Sequence, residues 1–259
     1  MIPFTKMHGN GNDFVIIDEY KELKVPEEDK SRFVKAICDR RFGIGADGVI
    51  FVQRSSIADV KFRYFNSDGS EAEMCGNGIR CFARYIVEEG YTSRKPRIET
   101  LAGVIEVEVM DGWWVRVRMN KPRVTDIWGY DYKGYKLYHV NVGVPHVVIF
   151  VDSLNFDIIP IARDIRYADI FPNGTNVNFV RVLNEEEIEI RTYERGVEDE
   201  TLSCGTGSIA SAFVANRLNL VKDVVTVKTR GGILRVELGE RVYLIGPAKR
   251  VFDGVIREL

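Results

Sequence analysis

Cysteine is scarce in this chain: four residues in 259, at Cys38, Cys75, Cys81 and Cys204, too few and too irregularly spaced for a disulfide framework. Long apolar runs are absent too. No stretch approaches the ~18 consecutive apolar residues of a membrane span, and the start, MIPFTKMHGNGNDF, lacks the basic, apolar and small-residue regions of a signal peptide. A cytoplasmic location is expected, with no membrane partner. Charge of either sign is hardly in excess: 36 Lys+Arg stand against 38 Asp+Glu, a formal net charge of −2. No basic surplus is available to neutralise phosphates, so nucleic acid is not expected as a partner. What remains is ordinary globular material, 45% hydrophobic, of a length that at about 150 residues per domain holds one or two domains. With disulfides set aside, reactive thiols are the remaining use for the cysteines.

Two of the cysteines repeat a pattern. "EMCGNGIRCFARYIVEEG" (Glu73 to Gly90) and "LSCGTGSIASAFVANRLN" (Leu202 to Asn219) each set a cysteine ahead of a glycine-rich turn and an apolar helical pattern. At an offset of 129 residues, Cys75-Gly76-Asn77-Gly78 falls on Cys204-Gly205-Thr206-Gly207, and Gly90 falls on Asn219. Both end residues suit the left-handed conformation that closes a helix. The same offset lays Thr100 to Val107 on Thr229 to Val236. Upstream the register slips, yet Gly48 to Val52 still resembles Asn176 to Val180, and Gly11-Asn12 precedes an apolar run as Gly143-Val144 does. A chain that matches itself in this way is two copies of one domain. The split falls near Arg118 to Arg123: residues 1–118, then 119–250, with 251–259 as a C-terminal segment returning to the first copy.

Within each copy, short Val/Ile/Tyr/Phe runs bounded by Gly, Asp and Asn read as strands: Phe14 to Ile17, Val49 to Val52, Val60 to Phe65 and Val104 to Val109. After Cys75, Ile79, Phe82, Ala83, Ile86 and Val87 recur at spacings of three and four, the core stripe of a helix. After Cys204 the apolar residues surround the axis, with only Ser208 and Ser211 between them. That composition suits a helix enclosed by its own sheet.

A helix start carries unpaired N–H groups and about half a positive charge, which stabilises anions and draws a thiol's pKa from about 8.5 towards neutrality. The same amides, opened by glycine, can hold a carboxylate. Two such thiols on either side of one carbon are what a two-base racemase requires. One thiolate removes the α-proton and the opposite thiol protonates the planar carbanion from the other face.

The motifs "KMHGNGNDF", "FNSDGSEAEMCGNGIRC", "PNGTNVNFV" and "YERGVEDETLSCGTG" resemble those of the diaminopimelate epimerases, over essentially the whole chain. The motifs around the cysteines differ from the proline racemase type, and phenazine-type isomerases lack the cysteine pair. The resemblance implies an α+β fold of two pseudo-symmetric repeated domains, each a strongly curved, mostly antiparallel sheet wrapped around a central helix, with the active site in the cleft between them. It implies cofactor-independent interconversion of LL- and meso-diaminopimelate, on the route to lysine and peptidoglycan, by a homodimer. Cys75 and Cys204 become the acid–base thiols. Gly76, Asn77, Gly205 and Thr206 offer amides to the reacting carboxylate; Asn12, Asn66, Asn176, Glu194 and Arg195 hold the substrate; and His146, with Glu194, tunes the thiols. The residue types suit a seven-carbon substrate bearing an amino acid at each end, since a guanidinium and amides can grip the distal carboxylate and Glu194 can meet an ammonium.

Three departures from the family pattern matter. Val144 stands where Gly-Asn-Pro-His is usual, so an apolar group replaces an amide at the distal end of the substrate. A wall of that kind discriminates weakly, and lysine is expected to be tolerated as a substrate. Gly48 stands where many members carry glutamine, and the chain between Arg195 and Cys204 is one residue longer.

Other readings were weighed against this one. A thiol redox protein cycling a Cys75–Cys204 disulfide is the alternative from another class, and a non-catalytic amino-acid binding module is a third. A pyridoxal-phosphate racemase lacks a phosphate cradle paired with a Schiff-base lysine. The six-residue step from Cys75 to Cys81 does not match zinc-ligand spacing, so no metal is expected. Gly9-Asn10-Gly11 opens a strand pattern where a dinucleotide fingerprint would open a helix. Cys38 and Cys81 read as buried apolar residues.

Overall fold

The computed structural model describes residues 1–257. Two compact units form: Met1–Val117 together with the chain from Gly246 onward, and Arg118–Ile245. In chain order the first unit contains β1 (Ile2–Gly9), β2 (Asn12–Asp18), α1 (Lys30–Cys38), β3 (Gly48–Gln53), β4 (Val60–Asn66), β5 (Glu71–Ala72), α2 (Gly76–Glu88), β6 (Arg97–Thr100), β7 (Gly103–Val109) and β8 (Trp114–Met119), the last running across the division. The second contains β9 (Arg123–Tyr132), β10 (Tyr135–Asn141), β11 (Pro145–Phe150), α3 (Ile159–Arg166), β12 (Asn176–Asn184), β13 (Glu187–Glu194), β14 (Asp199–Thr201), α4 (Gly205–Arg217), β15 (Val224–Thr229), β16 (Gly232–Glu237) and β17 (Val242–Pro247). A final strand, β18 (Lys249–Ile256), follows.

The two units share one wiring. In the first, β1/β2, β3/β4, β6/β7 and β7/β8 pair antiparallel, while β2/β3 and β4/β6 pair parallel. In the second, β10/β11, β12/β13, β15/β16 and β16/β17 are antiparallel, and β11/β12 and β13/β15 parallel. Parallel neighbours need a crossover, and α1 and α2, like α3 and α4, lie in those connections. β9 completes the second sheet against β10 as β18 completes the first against β1.

The domain boundaries inferred from the sequence, at 118/119 and 250/251, differ from the observed division by a residue and by five residues. The second difference has a physical cause. Arg80 Nε donates to the Pro247 carbonyl at 3.4 Å and Arg84 Nη1 to that of Ala248 at 2.8 Å, fastening the chain to α2 before β18 begins. Of the segment 251–259, Glu258 and Leu259 lie outside the described residues.

Each sheet wraps a helix. α2 buries Ile79, Phe82, Ala83 and Ile86 completely, and burying an Ile or Phe side chain stabilises the fold by about 1.5–3 kcal/mol. Val87 is half-buried. α4 is enclosed on more sides, with Ile209, Ala210, Ala212, Val214, Ala215 and both Ser208 and Ser211 fully buried. The helix ends match as well. Gly90 and Asn219 take φ of 75° and 57°, and the following amides, Tyr91 and Leu220, reach back to the carbonyls of Ile86 and Ala215 at 2.9 Å. Further on, Thr100 Oγ1 donates to the Gly103 carbonyl and Thr229 Oγ1 to that of Gly232, each at 2.8 Å.

Candidate active site

Each of the two cysteines is a helix N-cap. Cys75 precedes α2 in extended conformation (φ −135°, ψ 120°) and its sulfur accepts from the Gly78 amide at 3.4 Å. Cys204 precedes α4 (φ −115°, ψ 114°) and accepts from the Gly207 amide at the same distance. A thiol sulfur thus occupies the place a serine or aspartate oxygen commonly takes. None of Cys75, Cys204, Cys38 and Cys81 is in a disulfide. Burial pushes the last two up to about 12, which suits them to the inert apolar role read from the sequence.

In the first unit, Cys75 donates its S–H to Asn12 Oδ1 at 3.6 Å, and Asn77 Nδ2 donates to the same oxygen at 3.2 Å. Asn12 is oriented by its other end, where Nδ2 donates to Asp47 Oδ2 at 2.6 Å. Behind α2 lies Arg80, fully buried, donating through Nη2 to Asn10 Oδ1 and Asn77 Oδ1 at 2.9 Å and through Nη1 to the Gly76 carbonyl at 3.1 Å. The structure therefore gathers Asn12, Gly76 and Asn77 about Cys75. Asn66 ends β4 opposite Gly48 and donates instead to Ser70 Oγ at 3.1 Å. Gly48 has no room for a side chain: a Cβ there would stand 2.5 Å from the Tyr64 ring and 2.4 Å from the Phe65 carbonyl oxygen. Tyr64 fills the space that a glutamine would need.

In the second unit, Glu194 and Thr206 lie beside Cys204, His146 reaches it through Thr206, and Asn176 and Arg195 pair with each other. Asn176 Nδ2 donates to the Pro145 carbonyl at 2.8 Å and its Oδ1 accepts from the Arg195 amide at 2.8 Å, locking β11 to the end of β13. Arg195 Nη1 donates to the Asn173 carbonyl at 2.9 Å, and Glu194 Oε1 accepts from Thr201 Oγ1 at 2.6 Å. The hairpin between β13 and β14 turns through Arg195 to Glu198, with Gly196 and Glu198 at φ of 95° and 59°. His146 is fully buried; its Nε2 lies 2.9 Å from Thr206 Oγ1, which lies 3.5 Å from Cys204 Sγ. Burial drives His146 down to about 3, so the imidazole is neutral.

One sequence expectation is reversed here. A thiol at a helix start is expected to acidify, but the Cys204 pKa is raised. Burial is the largest cause, and the Glu194 carboxylate beside the sulfur adds to it; the Thr206 hydroxyl and Gly207 amide pull the other way without prevailing. Cys204 therefore rests as a thiol.

Asp47, Arg80 and Asn178 were not singled out from the sequence. Arg80 carried a signal, a cation on an otherwise apolar helix face in "CGNGIRC". Asn178 carried one too, in "NVNFV", where a polar residue interrupts a buried strand. Among the described residues, no group of three or more His, Cys, Asp or Glu side chains is placed to hold a metal ion.

Two sheet-wrapped repeats, each enclosing a helix, define a fold shared with solved structures of other proteins. The chain superposes on a Bacillus anthracis phenazine biosynthesis protein of the PhzF family with a TM-score of 0.73 at 18% identity, covering 98% of this chain and 99% of that one. It superposes on a probable proline racemase from Agrobacterium radiobacter with a TM-score of 0.70 at 16% identity, covering 99% and 93%. The family model described as Diaminopimelate epimerase matches residues 4–125 and 138–251. A diaminopimelate epimerase of Archaeoglobus fulgidus is 60% identical over 271 aligned positions, 99% of this chain and 96% of that one, and one of Methanothrix thermoacetophila is 49% identical over the same coverage. The chain belongs to the diaminopimelate epimerase family, whose members are isomerases.

Proposed function

We propose that the chain interconverts LL- and meso-diaminopimelate without a cofactor, with Cys75 and Cys204 exchanging the α-proton. The observation that carries this reading is the doubled helix cap, in which each sulfur receives an amide hydrogen bond from its own helix start. Cys204, kept protonated by burial and by Glu194, begins as the acid, and Cys75 begins as the base after releasing to solvent the proton that it directs at Asn12 Oδ1. The Cys75 thiolate takes the α-hydrogen as a proton, the electron pair stays on carbon and its carboxylate, and Cys204 delivers its proton to the opposite face. The enzyme then holds a Cys75 thiol and a Cys204 thiolate, ready for the reverse reaction. General-base positioning contributes about 10²–10⁴-fold; the amides of Gly76, Asn77, Gly205 and Thr206 supply stabilisation as charge grows on the carboxylate. Asn12, Asn66, Asn176, Glu194 and Arg195 are assigned to holding the substrate.

Val144 extends the reading to lysine. Strand pairing sets Phe14 opposite Gly48 and His146 opposite Asn176, so Val144 occupies in the second repeat the place of Asn12 in the first. Lysine racemisation at high enzyme concentration is the expected result, and Val144→Asn reduces it; no racemisation by either protein refutes this part. A cytoplasmic location follows for thiols that must stay reduced. A homodimer is assigned to β18, where Val251, Phe252 and Val255 stand 56%, 47% and 50% exposed. Sedimentation of a dimer that Val251→Asp dissociates supports it, and a monomer at all concentrations does not.

The activity is tested by proton NMR of LL-diaminopimelate in D₂O with reduced protein. Loss of the α-proton signal with appearance of the meso isomer is expected. Folded, reduced protein that exchanges nothing refutes the reading and favours the redox alternative.

A further inference from the structure

Behind Cys204 lies a buried polar chain built on strand positions that are apolar in the first repeat. Asn178, on β12, is fully buried, and so is His146. The orientation of the Asn178 amide is set by a backbone carbonyl, and a hydroxyl that can donate or accept completes it. Its Nδ2 donates to the Val147 carbonyl at 2.8 Å, an acceptor only, and its Oδ1 accepts from Thr192 Oγ1 at 3.0 Å. The second hydrogen on Nδ2 faces His146 Nδ1 at 3.2 Å. A neutral imidazole carries its proton on one nitrogen. With a donor facing Nδ1, the proton belongs on Nε2. Nε2–H then donates to Thr206 Oγ1 at 2.9 Å, which leaves the Thr206 hydroxyl hydrogen directed at Cys204 Sγ, 3.5 Å away.

The repeat supplies the comparison. By strand register, Phe14 stands where His146 does and Ile50 where Asn178 does, and the Cys204 helix start repeats that of Cys75 with Asn77 in place of Thr206. At the first helix start, a Cβ on Gly78 would meet Ile50 Cδ1 at 3.3 Å; at the second, a Cβ on Gly207 would meet Asn178 Oδ1 at 2.4 Å. At these strand positions, apolar packing in the first repeat is thus replaced by a hydrogen-bonded chain in the second. Cys204 also has the greater need, since once it has given up its proton its thiolate lies buried beside the Glu194 carboxylate.

We propose that Asn178 is a positioning residue: it fixes His146 as the Nε2–H tautomer and so makes the Thr206 hydroxyl a hydrogen-bond donor to the Cys204 sulfur. The proposal rests on the reading of Cys204 as an acid–base thiol. Charged and titratable groups bearing on the chain are Glu194 at the sulfur and His139 and Arg195 toward the imidazole.

Two measurements on the full-length protein test it without substrate. Long-range proton–nitrogen NMR reads the imidazole tautomers, and with only three histidines in the chain, the His146 signals are identified by their loss in His146→Gln. The unsubstituted protein is expected to show a bare Nδ1 and a protonated Nε2. A proton on Nδ1 overturns the proposal outright, whatever any variant does. The second measurement is the pH profile of iodoacetamide alkylation, followed separately at Cys75 and Cys204 by peptide mass mapping. Asn178→Asp presents an acceptor to Nδ1, moves the proton there, and turns the Thr206 hydroxyl toward His146. The Cys204 profile is then expected to move up by about one pH unit, a tenfold lower rate at fixed pH, while that of Cys75 stays in place. Asn178→Leu, which removes the donor without adding an acceptor, is expected to lose the single tautomer and to shift Cys204 in the same direction by less. An unmoved Cys204 profile in a folded variant, or equal shifts at both cysteines, overturns it. Loss of α-proton exchange in unsubstituted protein is a separate result, striking the epimerase reading and leaving the tautomer measurement intact.

Discussion

Gly78 and Gly207 occupy the same place in the two repeats, and the structure assigns them opposite tolerances. At Gly78 an added Cβ would lie 3.3 Å from Ile50 Cδ1, 3.4 Å from Cys75 Cβ and 3.5 Å from the Phe14 ring. Small movements of flexible side chains relieve contacts of that kind. Replacing a helical glycine by alanine gains up to about 1 kcal/mol, so Gly78→Ala should leave stability within about 1 kcal/mol of the parent. At Gly207 the added atom would lie 2.4 Å from Asn178 Oδ1 and 3.3 Å from Cys204 Sγ. Asn178 cannot swing aside freely, because it is bonded to the Val147 carbonyl, His146 and Thr192 in a fully buried place. Each buried group left unsatisfied costs about 1–3 kcal/mol. Two such losses, the helix gain being common to both variants, put Gly207→Ala roughly 2–6 kcal/mol below Gly78→Ala. Urea unfolding of the two variants side by side measures that difference, the identical substitution removing most unfolded-state effects. Equal midpoints would refute the reasoning, since they would mean that the Asn178 bonds have no energetic weight.

Replacing either Cys75 or Cys204 by serine should lower turnover by at least about a hundredfold, with the circular dichroism spectrum unchanged, because a hydroxyl is a far weaker acid than a thiol; near-full turnover in a serine variant would remove that cysteine from the chemistry. Lys30 and Glu19 form an ion pair with side chains only 1% exposed, so Lys30→Met should destabilise by about 3–5 kcal/mol, and Glu19→Gln added to it should recover much of the loss. Denaturant titrations of the single and double variants check this, and a double variant no better than the single would contradict it. His146, neutral when folded and pushed down to about 3 by burial, takes up a proton more readily when unfolded. Its contribution is present above the unfolded pKa of about 6.5 and is lost as pH falls toward 3, at roughly 1.4 kcal/mol per pH unit. His146→Gln should therefore flatten the decline of stability between pH 6 and 4 by about one proton, and parallel slopes would show that His146 is not held neutral.

The repeat was legible because backbone demands leave marks in sequence. A helix closed by a left-handed residue needs Gly90 or Asn219, and a tight turn after it brings Thr-x-x-Gly twice. The cysteines were legible for the same reason, each lying immediately before a glycine-opened helix start. Thiol acidity was not legible, because the sequence shows the helix start but not the burial and the Glu194 carboxylate that outweigh it at Cys204. Asn178 and Arg80 were not legible either: each lies far along the chain from most of its partners, and a lone polar residue in a buried element reads the same whether it is exposed at an edge or fully satisfied inside. The return point of the C-terminal chain escaped for a similar reason, depending on carbonyls at Pro247 and Ala248 that arginines of α2 happen to reach.

What the repeat holds constant and what it varies separate two requirements of one reaction. An epimerase must offer acid–base groups to both faces of a carbon, and a duplicated backbone supplies the same cap geometry twice, each sulfur 3.4 Å from its amide. The two groups must nevertheless begin each turnover in different protonation states, and identical surroundings would not favour either. On the proposed two-thiol reading, the side chains around the caps make that distinction. Cys75 meets the Asn12 amide, which Asn77 also holds, and its helix carries the buried Arg80 guanidinium. Cys204 meets a carboxylate, a hydroxyl and a neutral imidazole. Asn178→Leu, which puts an apolar residue where the first repeat has Ile50, should therefore hold Cys204 more firmly as the thiol and leave the Cys75 profile in place. Comparing the two alkylation profiles within one protein reads that distribution directly.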